Sequence, residues 1–466
     1  MTSRLDGLAI VGVTLAVAWG VAAFGAVYDW GLTVLFALTT VTTIVMIART
    51  RRVNRAGAVL AAILVAAAAL QIVPLPAGPV HRLAHRSAFM KPFEPASTWQ
   101  GAVPAFERIS VVPAYTTRAV EALAAFAALG VALTAFLGAR AGAARRIARN
   151  VSIIGVLVAV EGLAQKQIFN GKIYWFWESQ QRASHNYFGP FVNRNHFAGW
   201  MILASALTAG WLASQLTEAM AGMKPGWRYR ILWFGSSAAA IVLLTATALL
   251  AMFVSLVFTM SRSGIAGASL ALTIIALVAA VRMRGARKLA ASALIVVALT
   301  AGIALKGSDK LVAWYGTTDT LQWRFEVWRD SMPMLRDFWR LGAGLNTYSA
   351  LSVAYPMTQP EPHADEAHND YLQLAVEGGL IVSIPALIVA FAVGRTIVRR
   401  LRTPQDPELW WIRLGATAGL CGIAVQEITD FSLQIAGVAC LFVVLLAIAT
   451  HAPPASVPRP RYRPTA

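Results

Sequence analysis

The chain has little charge and very little acid. Of its 466 residues only 22 are Asp or Glu, and all charged residues together make up 13%, about half the ~25% of soluble domains. With 57% hydrophobic residues and a mean hydropathy of +0.60, this excludes a soluble globular domain and indicates a polytopic membrane protein. Cysteine is also scarce: Cys421 and Cys440 both lie inside apolar runs. No disulfide framework is available, and both read as inert core thiols. No internal repeat is visible, which speaks against an inverted-repeat transporter. A His-Glu-x-x-His pattern and a nucleophile elbow are absent, which speaks against a metalloprotease and a serine hydrolase. A net charge of +18 on its own suggests nucleic acid, but the placement of that charge points elsewhere.

The basic residues fall in clusters. Arg49, Arg51, Arg52 and Arg55 form one; Arg140, Arg145, Arg146 and Arg149 the next; then Lys224, Arg228 and Arg230; Arg282, Arg284, Arg287 and Lys288; and Arg395, Arg399, Arg400 and Arg402. Each occupies every second loop between long apolar runs, so the positive-inside rule places these loops in the cytoplasm and accounts for the net charge without nucleic acid. About 20 apolar residues cross a bilayer. Twelve runs qualify, at roughly 8–27, 31–48, 57–75, 115–138, 151–168, 196–215, 231–258, 263–281, 288–306, 371–394, 409–428 and 432–450. The run 231–258 is long for one span and is expected to tilt or extend past the membrane. The first run is too long for a cleaved signal peptide and reads as an uncleaved span. An even count puts both termini on the cytoplasmic side, where Arg459, Arg461 and Arg463 of the tail agree. The expected fold is all-α, with about twelve transmembrane helices and a periplasmic helical lid.

Three outer segments are long. Residues 76–114 hold His81, His85, Lys91 and Glu94; residues 169–195 hold Tyr174, Trp175, Phe176 and Trp177, an interfacial aromatic belt. Residues 307–370 are too long for a plain connection and are expected to form a small subdomain. In it Leu321, Phe325, Trp328, Met332, Leu335 and Trp339 make one apolar stripe, with Arg324, Arg329, Arg336 and Arg340 off it. That is either a helix on the membrane surface or a lid whose arginines meet an anionic headgroup. Pro333 is expected to kink or split it.

Spans six, eight and ten run from outside to inside, and each opens on a motif. Helix N-termini carry partial positive charge and free N–H groups, which suit phosphate. Arg194, flanked by Asn193, Asn195 and His196, opens span six; Arg262, between Ser261 and Ser263, opens span eight. Two guanidinium forks at two helix starts suit a pyrophosphate. At span ten Asn369, Gln373 and Glu377 recur every fourth residue, a polar stripe that must face protein or water. His368 at its mouth can take a proton from a hydroxyl near neutral pH. Gly378 and Gly379 allow close approach of a helix or lipid chain. A metal set of His363, Asp365, Glu366, His368 and Asp370 has histidines five apart, off one helix face. Glu161, inside span five, calls for a basic partner. Glu427 and Asp430 mark the outer end of span eleven.

Together these segments resemble the bacterial O-antigen ligase and O-antigen polymerase family. The matching pieces are Asn193-Arg-Asn-His-Phe-Ala-Gly199, Ser261-Arg-Ser-Gly264, Arg324 with Trp328, Gly342-Ala-Gly-Leu-Asn346, His368-Asn-Asp-Tyr-Leu-Gln373 with Glu377-Gly-Gly379, and Asp430 to Gln434, within roughly 190–440. One histidine precedes Asn369; Ala367 stands where some ligases carry a second. The resemblance implies a metal-independent, inverting glycosyltransferase without a cofactor. Its donor would be a glycan on undecaprenyl pyrophosphate, and its acceptor a saccharide or lipid A–core. Arg194 and Arg262 would hold the pyrophosphate and His368 would deprotonate the acceptor. Asn193, Asn195, His196, Ser261, Ser263, Arg324, Asn369, Tyr371, Gln373, Glu377 and Asp430 would support them. The expected organisation is spans one to five in 1–190, a catalytic region in 191–450 and a cytoplasmic tail in 451–466, all in the bacterial inner membrane with a periplasmic site. A lipid-linked oligosaccharide flippase using the same arginines is the alternative.

Overall fold

A computed structural model describes residues 4–50, 53–83, 105–179, 186–221, 226–282, 319–355, 358, 364–403 and 406–452. The described residues are mostly helical, with one two-stranded ladder among them that pairs Leu75–Pro76 with Phe106–Glu107. Among the described residues, eight helices are long and apolar enough to cross a membrane: α1 (Arg4–Ala22), α2 (Asp29–Arg49), α5 (Pro113–Ala139), α6 (Ala143–Gln167), α7 (Arg194–Ala221), α9 (Ser237–Phe258), α10 (Arg262–Arg282) and α13 (Asp370–Arg402). The chain is therefore a multi-pass membrane protein. Two further apolar helices are shorter, α3 (Arg55–Ala69) and α15 (Ala436–Thr450). Between α13 and α15, α14 (Pro407–Gln426) has spanning length but is less apolar. The expected span 288–306, the basic residues at 284, 287 and 288, and the tail from 453 lie outside the described residues, as do His85, Lys91 and Glu94.

The long run 231–258 is not one helix. A short α8 (Trp227–Phe234) stops at Gly235, and Ser236 caps α9 by accepting the Ala239 N–H at 3.2 Å. A hydroxyl one turn into an apolar run offers the backbone an alternative partner.

The core is centred on α7, which is buried from His196 to Gln215 and packs against α6, α9, α10 and α14. Its contact with α14 is backbone to backbone. A Cβ on Gly210 would lie 2.7 Å from the Gly415 Cα, and one on Gly267 of α10 would lie 2.5 Å from the Gly422 carbonyl. With no hydrophobic gain between helices in lipid, small residues let dispersion contacts hold them together. Cys440 is in this core, but Cys421 is exposed on α14; both are free thiols.

Capping the end of the bundle where α7, α10 and α13 begin is the segment 319–355, with a small core of its own. Its main helix, α11 (Asp319–Phe338), runs through Pro333 without splitting. Its buried face is Val327, Ser331, Met334 and Phe338, while Phe325 is 59% and Trp339 45% exposed. Of the expected stripe, Phe325 and Trp339 are exposed, whereas Leu321, Trp328, Met332 and Leu335 are half-buried. A short α12 (Tyr348–Ser352) follows. The turn before it, at Gly342, presses on α13 at Gly379, the approach expected of the glycine pair. Gly379 has φ +54°, and a Cβ there would collide with the backbone of Gly342.

Candidate functional site

Three helix starts meet at one end of the bundle, and each is capped. At α7, Asn193 Oδ1 accepts the Asn195 N–H at 2.9 Å, and the Arg194 N–H donates to the Asn186 carbonyl at 2.8 Å. At α10, Ser261 Oγ accepts the Gly264 N–H at 3.2 Å, and the preceding Met260 is left-handed, with φ +57°. At α13, Asn369 Oδ1 accepts the N–H groups of Tyr371 and Leu372, both at 3.0 Å, and His368 just before it is left-handed, with φ +49°. A non-glycine residue held in that region costs about 1–3 kcal/mol, so two of the three motifs are presented on strained turns.

The arginines belong to one electrostatic unit. The charges of Arg324 and Arg262 both act on Arg194. Burial holds Arg324 below the usual guanidinium range; Asp430 opposes this and Arg262 adds to it. Arg324 reaches in from α11 and pairs with Asp430 at 3.4 Å. The Nε groups of Arg194 and Arg324 are buried and donate to no acceptor. Buried, unused N–H donors on two neighbouring cations form a receptor for a multivalent anion.

His368 lies beside them. Its ring meets Trp323 at 5.0 Å and Phe431 at 4.9 Å, both edge-on, and its Nδ1 is buried without a partner. Burial, then Arg324, then His196 push its pKa down to about 3, so the ring is neutral. Phe431 separates it from His196, whose ring is 4.7 Å away and whose Nε2 is 3.9 Å from Asp430. Asp430 is fully buried, and burial pushes its carboxyl up to about 6 despite Arg324. It joins two motifs, one from α7 and one from α11.

The polar stripe on α13 faces protein. Gln373 donates to Glu366, to Glu377 at 3.3 Å and to the Gln434 amide oxygen at 3.2 Å, and accepts the Ala367 N–H at 3.0 Å. Glu377 accepts the backbone N–H groups of Asn346 and Tyr348, each at 2.8 Å. It therefore fastens the turn after Gly342–Asn346 and is spent on structure. Burial and Glu377 push Glu366 up to about 8. Tyr371 is exposed and donates to the Ala424 carbonyl at 2.7 Å, whereas Ser263 Oγ is buried without a partner. At the mouth, Gln434 donates to Asp370 at 2.7 Å, and burial and Asp370 raise Glu427.

Other expectations are modified. Glu161 has no basic partner among the described residues, and both its oxygens are buried without a hydrogen bond. Of the aromatic segment, Phe176 is 71% exposed as a belt residue would be, but Tyr174 and Trp177 pack on Phe24. No three His, Cys, Asp or Glu side chains converge on a metal among the described residues, and His363 lies outside them. Two residues of this region carried no sequence signal, and Phe431 was marked only as part of the Asp430–Gln434 segment. Trp323 is a single aromatic in an aromatic-rich chain. Gln71, at the end of α3, donates to the carbonyls of Leu341 (3.1 Å) and Glu377 (2.8 Å).

Residues 247–387 match the family model described as O-antigen ligase. The match takes in Arg262, Arg324 and His368; Arg194 and Asp430 fall on either side of it. No curated protein matches the chain.

Proposed function

We propose that the chain, whose residues 247–387 match the O-antigen ligase family model, acts as a glycosyl-transferring enzyme of that kind and moves a saccharide from undecaprenyl pyrophosphate onto a saccharide or lipid-sugar acceptor, with inversion and without a metal. The observation that carries this is the pair of buried, unpartnered guanidinium N–H groups on Arg194 and Arg324, next to Arg262 and a neutral His368.

In the proposed step the acceptor hydroxyl oxygen attacks the anomeric carbon opposite the leaving group. The new C–O bond forms as the bond to the pyrophosphate oxygen breaks, and the hydroxyl proton passes to His368. Undecaprenyl pyrophosphate departs with the bonding electron pair. Its added charge falls on the three arginines, whose positions precede the reaction, so little reorganisation is needed. An imidazole with a pKa of about 3 is a weak base alone. The arriving pyrophosphate offsets the Arg324 field and raises it toward the working range. Asp430 holds Arg324 until the anion arrives. The segment 307–370 acts as the lid, residues 191–450 as the catalytic region and residues 1–190 as its buttress. The setting is the bacterial inner membrane, with the site periplasmic, the tail 451–466 cytoplasmic and nucleic acid no partner.

The test is reconstitution with a defined undecaprenyl-pyrophosphate oligosaccharide and a choice of acceptors. Consumption of donor with release of undecaprenyl pyrophosphate supports the reading; movement of intact donor across the bilayer without consumption overturns it in favour of a flippase. A ladder of products marks a polymerase, and a single addition to lipid A–core marks a ligase.

A further inference from the structure

At the opposite end of the bundle a cavity of about 270 Å³ opens between the last turns of α10 and α13 and the first turn of α14. Arg282 and Arg402 supply its charge, Thr403 a hydroxyl, and Leu401, Trp410 and Trp411 its apolar walls. The Arg282 guanidinium lies 3.9 Å over the Trp410 ring, and the Trp410 Nε1–H donates to the Leu401 carbonyl at 2.9 Å, which pins the ring as a shelf beneath the cation. A cation stacked this way loses part of its hydration while keeping its in-plane N–H groups free.

The corner has excess positive charge. Among the described residues no carboxylate pairs with Arg282 or Arg402. The two acids nearby in sequence are already engaged: Asp406 caps α14 by accepting the Glu408 N–H at 3.1 Å, and Glu408 pairs with Arg145 at 2.9 Å. Fully buried Arg413 and the last-turn residues Arg399 and Arg400 add to the field.

We propose that this corner binds the phosphodiester headgroup of an anionic membrane lipid, the phosphate between Arg282 and Arg402 and the glycerol end against Leu401 and Trp411. The position suits a headgroup, since the cavity sits where three membrane helices end. The site is also separate from the donor site. Helix α10 has 21 residues, so at 1.5 Å per residue its two ends lie roughly 30 Å apart. The bound lipid would tie together the far ends of α10, α13 and α14, and the first two carry Arg262 and follow His368 at their other ends.

The test uses the full chain in neutral detergent, with dioleoylphosphatidylglycerol, dioleoylphosphatidylcholine or inorganic phosphate added, read by native mass spectrometry and by thermal unfolding. One phosphatidylglycerol should be retained and raise the unfolding temperature, while phosphatidylcholine and inorganic phosphate should do neither. Arg402→Gln should weaken retention about fivefold, and Arg282→Gln with Arg402→Gln about 25-fold. Arg149→Gln, at another exposed arginine, should leave it unchanged. Undiminished retention by the double variant, an equal loss with Arg149→Gln, or an equal shift from inorganic phosphate overturns the proposal. Should the double variant not fold, Arg402→Gln alone decides it.

Discussion

Arg262→Lys keeps the charge and removes the fork. If bidentate contact with pyrophosphate stabilises the transition state, turnover should fall roughly 100-fold, measured as product formed in reconstituted vesicles; near-normal turnover removes Arg262 from the clamp. His368→Ala should bind donor as before and transfer almost nothing, a separation read by equilibrium donor binding beside turnover. The same residue sets a pH dependence. Folded His368 is held at about 3, whereas the unfolded imidazole titrates near 6.5. Its contribution to stability is therefore complete above pH ~6.5 and is lost as pH falls toward about 3, because only the unfolded chain gains the proton. Thermal unfolding should drop between pH 7 and pH 5, and less so in His368→Ala. Arg194, Arg262 and His368 were legible because a cation or imidazole at the start of an apolar run must have a purpose in a medium without water. Glu161 was misread by the same logic, since a carboxyl can also sit in such a place without a cation. Trp323 was illegible, and the contact of Phe431 with His368 was too, because an aromatic side chain does not announce which ring it will meet.

At the scale of the element, the turn between α11 and α12 depends on Glu377. Glu377→Ala would leave the Asn346 and Tyr348 N–H groups without their acceptor, at roughly 1–3 kcal/mol for each. Glu377→Gln keeps one carbonyl acceptor and should cost about half as much, as a smaller drop in unfolding temperature. The every-fourth spacing of Asn369, Gln373 and Glu377 foretold that this face meets protein; it did not foretell that Glu377 would be spent on a turn. Helix α11 shows a different limit. Periodicity finds a helix but not which of two apolar environments, protein or bilayer surface, each side will meet, so the stripe left both readings open. Near Gly379 the requirement is steric. Gly379→Ala places a side chain in a backbone region open almost only to glycine and against the Gly342 backbone, and should destabilise by about 1–3 kcal/mol or more.

For the whole molecule, the arginine clusters predict an orientation of the helices that can be tested directly. In a cysteine-free variant, a cysteine at exposed position 176 should react with an impermeant maleimide in intact cells, and one at exposed position 402 only after permeabilisation. The reverse pattern inverts the topology and moves the site to the other compartment. Hydropathy located eight of the twelve expected runs as helices long and apolar enough to span among the described residues, because apolar length is a constraint the bilayer imposes directly. It could not reveal that α14 would join α7 to α10 through Gly210–Gly415 and Gly267–Gly422. Contacts of backbone on backbone leave no side chains to rearrange, so on the proposed reading the spacing of Arg194 and Arg262 should stay fixed through turnover. On the proposed reaction, a slot of fixed width grips the spent carrier more firmly than the loaded one, since its diphosphate has gained a charge. Turnover should then be governed by escape of the product, with Asp430 competing for Arg324 and so prising the third finger open.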